Sequence, residues 1–158
     1  MKFIVTVILV FLPSLALAQS QIEVIDGDTI ELDGRMIRIF GIDAPETKQK
    51  CKDVDYNDYD CGVKSKEILI NILGLKSNIG VVNNIDCTDI NKDRYRRWVS
   101  VCFINGLNIG REMVRRGAAL AYRQYSLSYE AQEDEAKAEG RGVWQGDFIK
   151  PWEWRAKN

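Results

Sequence analysis

The sequence predicts an α+β chain, mainly β, in which a small barrel packs against about three helices. Five short β-prone runs are separated by turn residues, and helical patterns begin only after the third run. Asp33-Gly34 joins two of the runs as a two-residue hairpin, because both residues tolerate positive φ. Strands that open as a meander, with helices interposed late, suit a five-stranded Greek-key barrel of the OB type.

Taken in order, residues 1–18 stand apart from the rest. Met1-Lys2 gives a positive start, Phe3–Leu12 is an almost unbroken apolar run, Pro13 breaks it, and Ala16-Leu17-Ala18 is a small-x-small cleavage site. The run is too short to span a bilayer and reads as a secretory signal peptide cut before Gln19. The mature chain is then one domain, residues 19–158, periplasmic or secreted. No Cys follows the cut, which argues against a lipoprotein anchor.

Ile22–Ile25, Thr29–Leu32 and Met36–Ile42 are the first three strands. Ala44–Asp60 is polar, lacks apolar periodicity and reads as a long loop. Its acidic run Asp53, Asp55, Asn57, Asp58 resembles the start of an EF-hand loop, but the Gly and the bidentate Glu of that motif are missing, so a solvated loop is expected. Gly62–Leu73 has helical apolar spacing and a Gly74 stop. Ile79–Ile85 and Trp98–Ile104 are strands around the charged stretch Asp89–Arg97. Asn108–Arg116, stopped by Gly117, and Ser128–Glu139, stopped by Gly140, complete the helices. Trp144, Trp152 and Trp154 are expected to pack the C-terminal segment.

Composition excludes whole mechanisms. The 158 residues contain no His, which removes serine and cysteine hydrolases, zincins and His-based nucleases. Cleavage of the leader takes one of the 22 basic residues, leaving 21 against 23 acidic and a formal charge of −2. Electrostatics alone would not hold such a chain on nucleic acid, so a phosphate ligand needs a local basic site or a metal ion. Cys51, Cys61, Cys87 and Cys102 form an even set without C-x-x-C spacing, which in an exported protein reads as two disulfides. Three pairings are possible, and chain order favours Cys51–Cys61 and Cys87–Cys102.

Charged clusters lie where strands end: Asp26-Gly27-Asp28-Thr29, the run from Arg38 to Asp43-Ala44-Pro45-Glu46, and Asp93-Arg94-Tyr95-Arg96-Arg97. On an extended strand Arg38 shares a face with Phe40 and Ile42, an otherwise apolar face on which a guanidinium needs an anionic partner. Pro45 makes a rigid turn that holds Asp43 and Glu46 together. Asp28 and Asp43 would supply hard oxygen ligands to Ca²⁺ or Mg²⁺. Glu46 would activate water, and Arg38 and Arg97 would neutralise charge building on a phosphate. Each motif taken singly is also ordinary turn or salt-bridge chemistry.

Together, Val24-Ile25-Asp26-Gly27-Asp28-Thr29-Ile30, Arg38-Ile39-Phe40-Gly41-Ile42-Asp43-Ala44-Pro45-Glu46-Thr47 and Asp93–Arg97 resemble the three signature blocks of the staphylococcal nuclease (thermonuclease) family. The likeness continues through Gly117–Tyr122 and Ala136–Trp144, and the stapled loop after Glu46 resembles the family's secreted bacterial branch. The resemblance implies an OB-fold, Ca²⁺-dependent endonuclease of the micrococcal type that cleaves DNA and RNA with low sequence specificity and leaves 3′-phosphates. It implies Asp28, Asp43 and the Ala44 carbonyl as Ca²⁺ ligands and Glu46 as general base, with Arg38 and Arg97 on the phosphate. Arg94, Tyr95 and Tyr122 would contact the nucleic acid. Arg96 stands where the family usually has Gly, and the interval from Gly117 to Tyr122 is one residue short of the best-known member. A monomer is expected. The rival reading is a catalytically idle OB module that binds nucleic acid or protein. Degenerate copies usually lose the carboxylates or arginines, and all five remain here.

Overall fold

A computed structural model describes residues 19–158. The signal-peptide reading falls on residues 1–18 and lies outside the described residues. Strand β1 (Gln19–Val24) pairs antiparallel with β2 (Thr29–Leu32), which turns into β3 (Arg35–Ile39). The turn has φ +49° at Asp33 and +77° at Gly34, the left-handed pair that matches the twist of a hairpin. The strand expected to run on to Ile42 stops at Ile39, because Gly41 has φ +75° and breaks the extended path. Phe40 and Ile42 therefore do not continue the face of Arg38. Ile37 and Ile39, on the opposite face, enter the core, and Ile42 and Asp43 form a separate strand β4.

The polar loop contains a small antiparallel ladder, β5 (Cys51–Lys52) with β6 (Asp58–Tyr59), tied by the Cys51–Cys61 disulfide. Its residues are too polar to show a strand pattern, and Asp53 Oδ1 closes the turn by accepting from the amides of Asp55 and Asn57 at 2.9 Å. Helix α1 (Cys61–Ile72) follows, with Leu69 and Ile72 buried and Gly74 ending it at φ +71°.

Next come β7 (Ile79–Asn83), β8 (Ile85–Lys92), β9 (Trp98–Ile104) and β10 (Leu107–Asn108). Asp89–Lys92, four of the nine residues of the charged stretch expected to lie between strands, thus belong to β8. That strand is exposed along nearly its whole length, so no apolar alternation marks it; its ladder with β9 and the Cys87–Cys102 bridge across that ladder hold it. Helix α2 (Ile109–Arg115) is capped by Asn108 Oδ1, which accepts from Arg111 N at 2.8 Å. Strand β11 (Leu120–Ala121) pairs with β4, and α3 (Glu130–Ala138), a 3-10 turn (Gly142–Gln145) and α4 (Pro151–Lys157) complete the chain.

The main sheet has seven strands rather than five, ordered β10-β9-β3-β2-β1-β7 with β8 also on β9. The β3–β9 pairing is parallel, and among the described residues no pairing closes the sheet into a barrel. Among the described residues there are four α-helices against the expected three or so; α4 was missed because it is short and its aromatic, charged sequence shows no helical apolar stripe. Val24, Ile30, Ile37, Ile39, Leu69 and Met113 fill the main core, while Leu120, Val143 and the Cys51–Cys61 bridge form a second, smaller one. No helix among the described residues is long and apolar enough to cross a membrane.

Candidate active site

The β2–β3 hairpin places Arg38 opposite Thr29, and Asp28 precedes that pair directly. Arg38 bridges two carboxylates, Nη1 to Asp28 Oδ1 at 2.7 Å and Nη2 to Asp43 Oδ1 at 2.6 Å. Burial works against its charge, but the Asp28 and Asp43 carboxylates outweigh this and raise its pKa. Asp43 has no exposed surface and Asp28 is 4% exposed, so neither is a surface acid. The β4–β11 ladder sets Asp43 against Leu120, and Ala44 N donates to Asp28 Oδ2 at 3.0 Å, locking the first and second sequence blocks together.

Glu46 emerges on the next turn. Its backbone carbonyl lies so close to Gly62 that a side chain there would collide with it, which is the packing reason for Gly behind Cys61. The Glu46 carboxylate meets Arg155 of α4, whose Nη1 donates to Glu46 Oε1 at 2.7 Å. Arg155 also holds Asp43, Nη1 to Oδ1 at 3.1 Å and Nη2 to Oδ2 at 2.9 Å. Partial burial opposes its charge, and the bonds to Asp43 and Glu46 more than reverse that, raising its pKa. Burial raises the Asp43 pKa, with the Arg155 hydrogen bond opposing and the Asp28 charge reinforcing the shift. Asp26, whose Oδ1 accepts from Asp28 N at 2.9 Å, is pushed up to about 6 by burial and then by the Asp28 charge.

The third block forms a tight turn. Asp93 Oδ1 accepts from the amides of Tyr95 and Arg97 at 2.9 Å, and Arg96 takes φ +68°, the conformation that favours the Gly the family usually has there. The turn directs Arg97 inward, Nε to Asp93 Oδ2 at 2.8 Å and Nη1 to Thr29 Oγ1 at 3.2 Å. Tyr95 is 65% exposed, and the Arg94 and Arg97 guanidiniums lie 4.9 and 5.5 Å from its ring centroid.

One cleft of about 1060 Å³ joins these groups; Asp28, Arg38, Ala44, Glu46, Arg97 and Tyr95 line it. Arg94 and Tyr122 also line it, whereas Asp43 lies beneath its wall. Tyr122 is not free on both faces, because Trp152 stacks on it at 5.3 Å. Asp26, Tyr125 and Arg155 also line the cleft and were missed by sequence reasoning. Asp26 had a signal, standing two residues before Asp28. The only signal for Arg155 was Pro151, a residue favoured at the first position of a helix.

The acidic group offers only oxygen donors: Asp28 and Asp43 are buried and share Arg38, with Asp26 and Glu46 beside them. Such a set fits a hard divalent cation held by Asp28 and Asp43, with backbone or water oxygens making up the shell. Among the described residues no three Asp, Glu, Cys or His side chains meet at ligand distance.

Residues 36–146 match the model of the family described as staphylococcal nuclease homologue. The succinoglycan biosynthesis protein ExoI of Rhizobium meliloti (strain 1021) is 33% identical over 127 residues, 79% of this chain but 63% of that protein, so the chain spans less than two thirds of it. An uncharacterized endonuclease of Escherichia coli O157:H7 is 34% identical over 142 residues, 85% of this chain and 82% of its own length. Another from Haemophilus influenzae is 34% identical over 143 residues, 85% and 70% of the two chains. With a family match over residues 36–146 and relatives that align over most of both chains, the chain belongs to the staphylococcal nuclease family.

Proposed function

We propose that the protein is an exported, Ca²⁺-dependent endonuclease that hydrolyses phosphodiester bonds in DNA and RNA with little sequence preference and leaves 3′-phosphates. The observation that carries this reading is the convergence of Asp28, Arg38, Glu46 and Arg97 on one cleft with Asp43 directly beneath. The endonuclease names of two relatives support it, as do two disulfides, which persist in oxidising compartments. The sheet is read as the family's OB barrel.

Asp28 and Asp43 would hold the cation, with the Ala44 carbonyl beside them. A bound Ca²⁺ supplies electrostatic stabilisation to a phosphate oxygen. Glu46 takes a proton from the attacking water. Arg38 and Arg97 meet the charge that grows on the phosphate, and their planar forks suit its oxygens. Among the described residues Arg97 Nη2 has no hydrogen-bond partner, which leaves it for that contact. Tyr95, exposed at the rim, stacks on bases without reading them, and Tyr122, packed between Trp152 and Tyr125, lines the same cleft. The test incubates the oxidised protein with plasmid DNA and with RNA, in Ca²⁺ and then in chelator. Degradation only with Ca²⁺ is expected. Degradation that survives chelation overturns the metal role, and none under any condition favours the binding module.

A further inference from the structure

The C-terminal segment reaches the site through a series of fixed contacts. Lys52 N donates to Asp147 O at 2.7 Å, and buried Gln49 donates Nε2 to Ile149 O at 2.6 Å. Trp152 then stacks on Tyr122, and α4 carries Arg155 onto Asp43 and Glu46. The family match ends at residue 146, so this segment lies beyond it.

Both carboxylate oxygens of Asp43 accept hydrogen bonds from guanidiniums. Its Oδ1 accepts from Arg38 and Arg155, and its Oδ2 accepts from Arg155 alone. A hard divalent cation binds carboxylates through these same oxygens and repels a neighbouring guanidinium. Of the two arginines, Arg38 lies within the sheet at 17% side-chain exposure, whereas Arg155 is 37% exposed on a terminal helix of seven residues. Arg155 is the one that can leave at lower cost.

We infer that Arg155 is a resident counter-ion that sets the cation affinity of the site: it neutralises Asp43 and Glu46 in the metal-free protein, and a divalent cation binds at its expense. The inference rests on the hard-cation reading of Asp28 and Asp43. It couples the seating of α4 to cation occupancy, and the coupling is reciprocal.

The test titrates Ca²⁺ calorimetrically into the chelator-stripped, disulfide-intact protein, comparing wild type with Arg155→Met and Arg155→Lys. Arg155→Met should bind Ca²⁺ at least about tenfold more tightly, a difference of about 1.4 kcal/mol. Arg155→Lys should fall between, since an ammonium keeps the charge but loses the fork. In chelator the Arg155→Met protein should melt below wild type, and added Ca²⁺ should close the gap. A dissociation constant within twofold of wild type, or weaker, in Arg155→Met overturns the counter-ion role and leaves the hard-cation reading standing. If that variant misfolds, the same result in Arg155→Lys overturns it. Absence of Ca²⁺ binding in wild type and variants alike overturns both readings, and Ca²⁺ binding without nucleic-acid cleavage overturns only the nuclease.

Discussion

Glu112 on α2 is held by two arginines, and its contribution to stability has a definite pH signature. Arg115 donates Nη2 to Oε1 at 2.7 Å and Nε to Oε2 at 2.9 Å, and Arg116 Nε donates to Oε1 at 2.6 Å. Helix α2 leads through Gly117 to β11, whose Leu120 pairs with Asp43, so the cluster lies on the element that precedes the strand beside the acid site. The Arg115 hydrogen bonds, opposed by burial and joined by Arg116, draw the Glu112 pKa from 4.5 to about 2. The folded value lies below the unfolded one. The stabilisation is therefore fully present above the unfolded pKa and is lost as pH falls through the folded one. A shift of that size corresponds to a ceiling of about 3 kcal/mol. The two arginine side chains are 41% and 43% exposed, and solvent screening reduces the ceiling to about 1–2 kcal/mol. Glu112→Gln should lose that amount at pH 7 in urea unfolding followed by tryptophan fluorescence, and the difference should be roughly halved by pH 3. An equal loss at both pH values would refute the ionic origin of the stabilisation.

Glu46→Gln and Arg38→Ala should each lower kcat on DNA by on the order of 10²-fold in Ca²⁺, and near-normal rates in both would remove them from the mechanism. Tyr95→Ala, which removes an exposed stacking ring, should raise KM several-fold, by about 1 kcal/mol, with kcat little changed; a pure kcat effect would place the ring elsewhere in the reaction. Intact-mass measurement without reductant should find the protein four hydrogens lighter than its reduced form, and peptide mapping should recover Cys51 with Cys61 and Cys87 with Cys102. A mass equal to the reduced chain would end the disulfide assignment.

What the sequence made legible follows the strength of local chemistry. The Asp33-Gly34 turn and the Gly74 and Gly117 stops are written in residues whose backbone preferences leave few alternatives, whereas Asn108, expected as the first helical residue, is the N-cap. Arg38, Asp43 and Glu46 could be grouped because Pro45 compresses them into one short segment. Strand β8 was illegible because its pairing with β9, not burial, creates it. Arg155 was illegible for a different reason: 109 residues separate it from Glu46, and only the packing of 147–152 against Gln49, Lys52 and Tyr122 brings the two together.

The absence of histidine and the near-neutral charge turn out to be connected through these pairs. With no imidazole in the chain, the charged groups of the cleft are carboxylates and guanidiniums, and several of the two kinds are paired with each other. Arg38 spans Asp28 and Asp43, Arg155 spans Asp43 and Glu46, and Arg97 is held by Asp93. At the acidic end of the cleft the arginines are paired with carboxylates, whereas Lys92 and Arg94, which also line the cleft, make no ion pair among the described residues. On the proposed hard-cation reading, a cation that took over Asp28 and Asp43 would release guanidinium donors just as it fixed the carboxylates. Metal loading and phosphate binding would then be parts of one proposed rearrangement, and Arg155, the most exposed of the three arginines, is where it would meet least resistance.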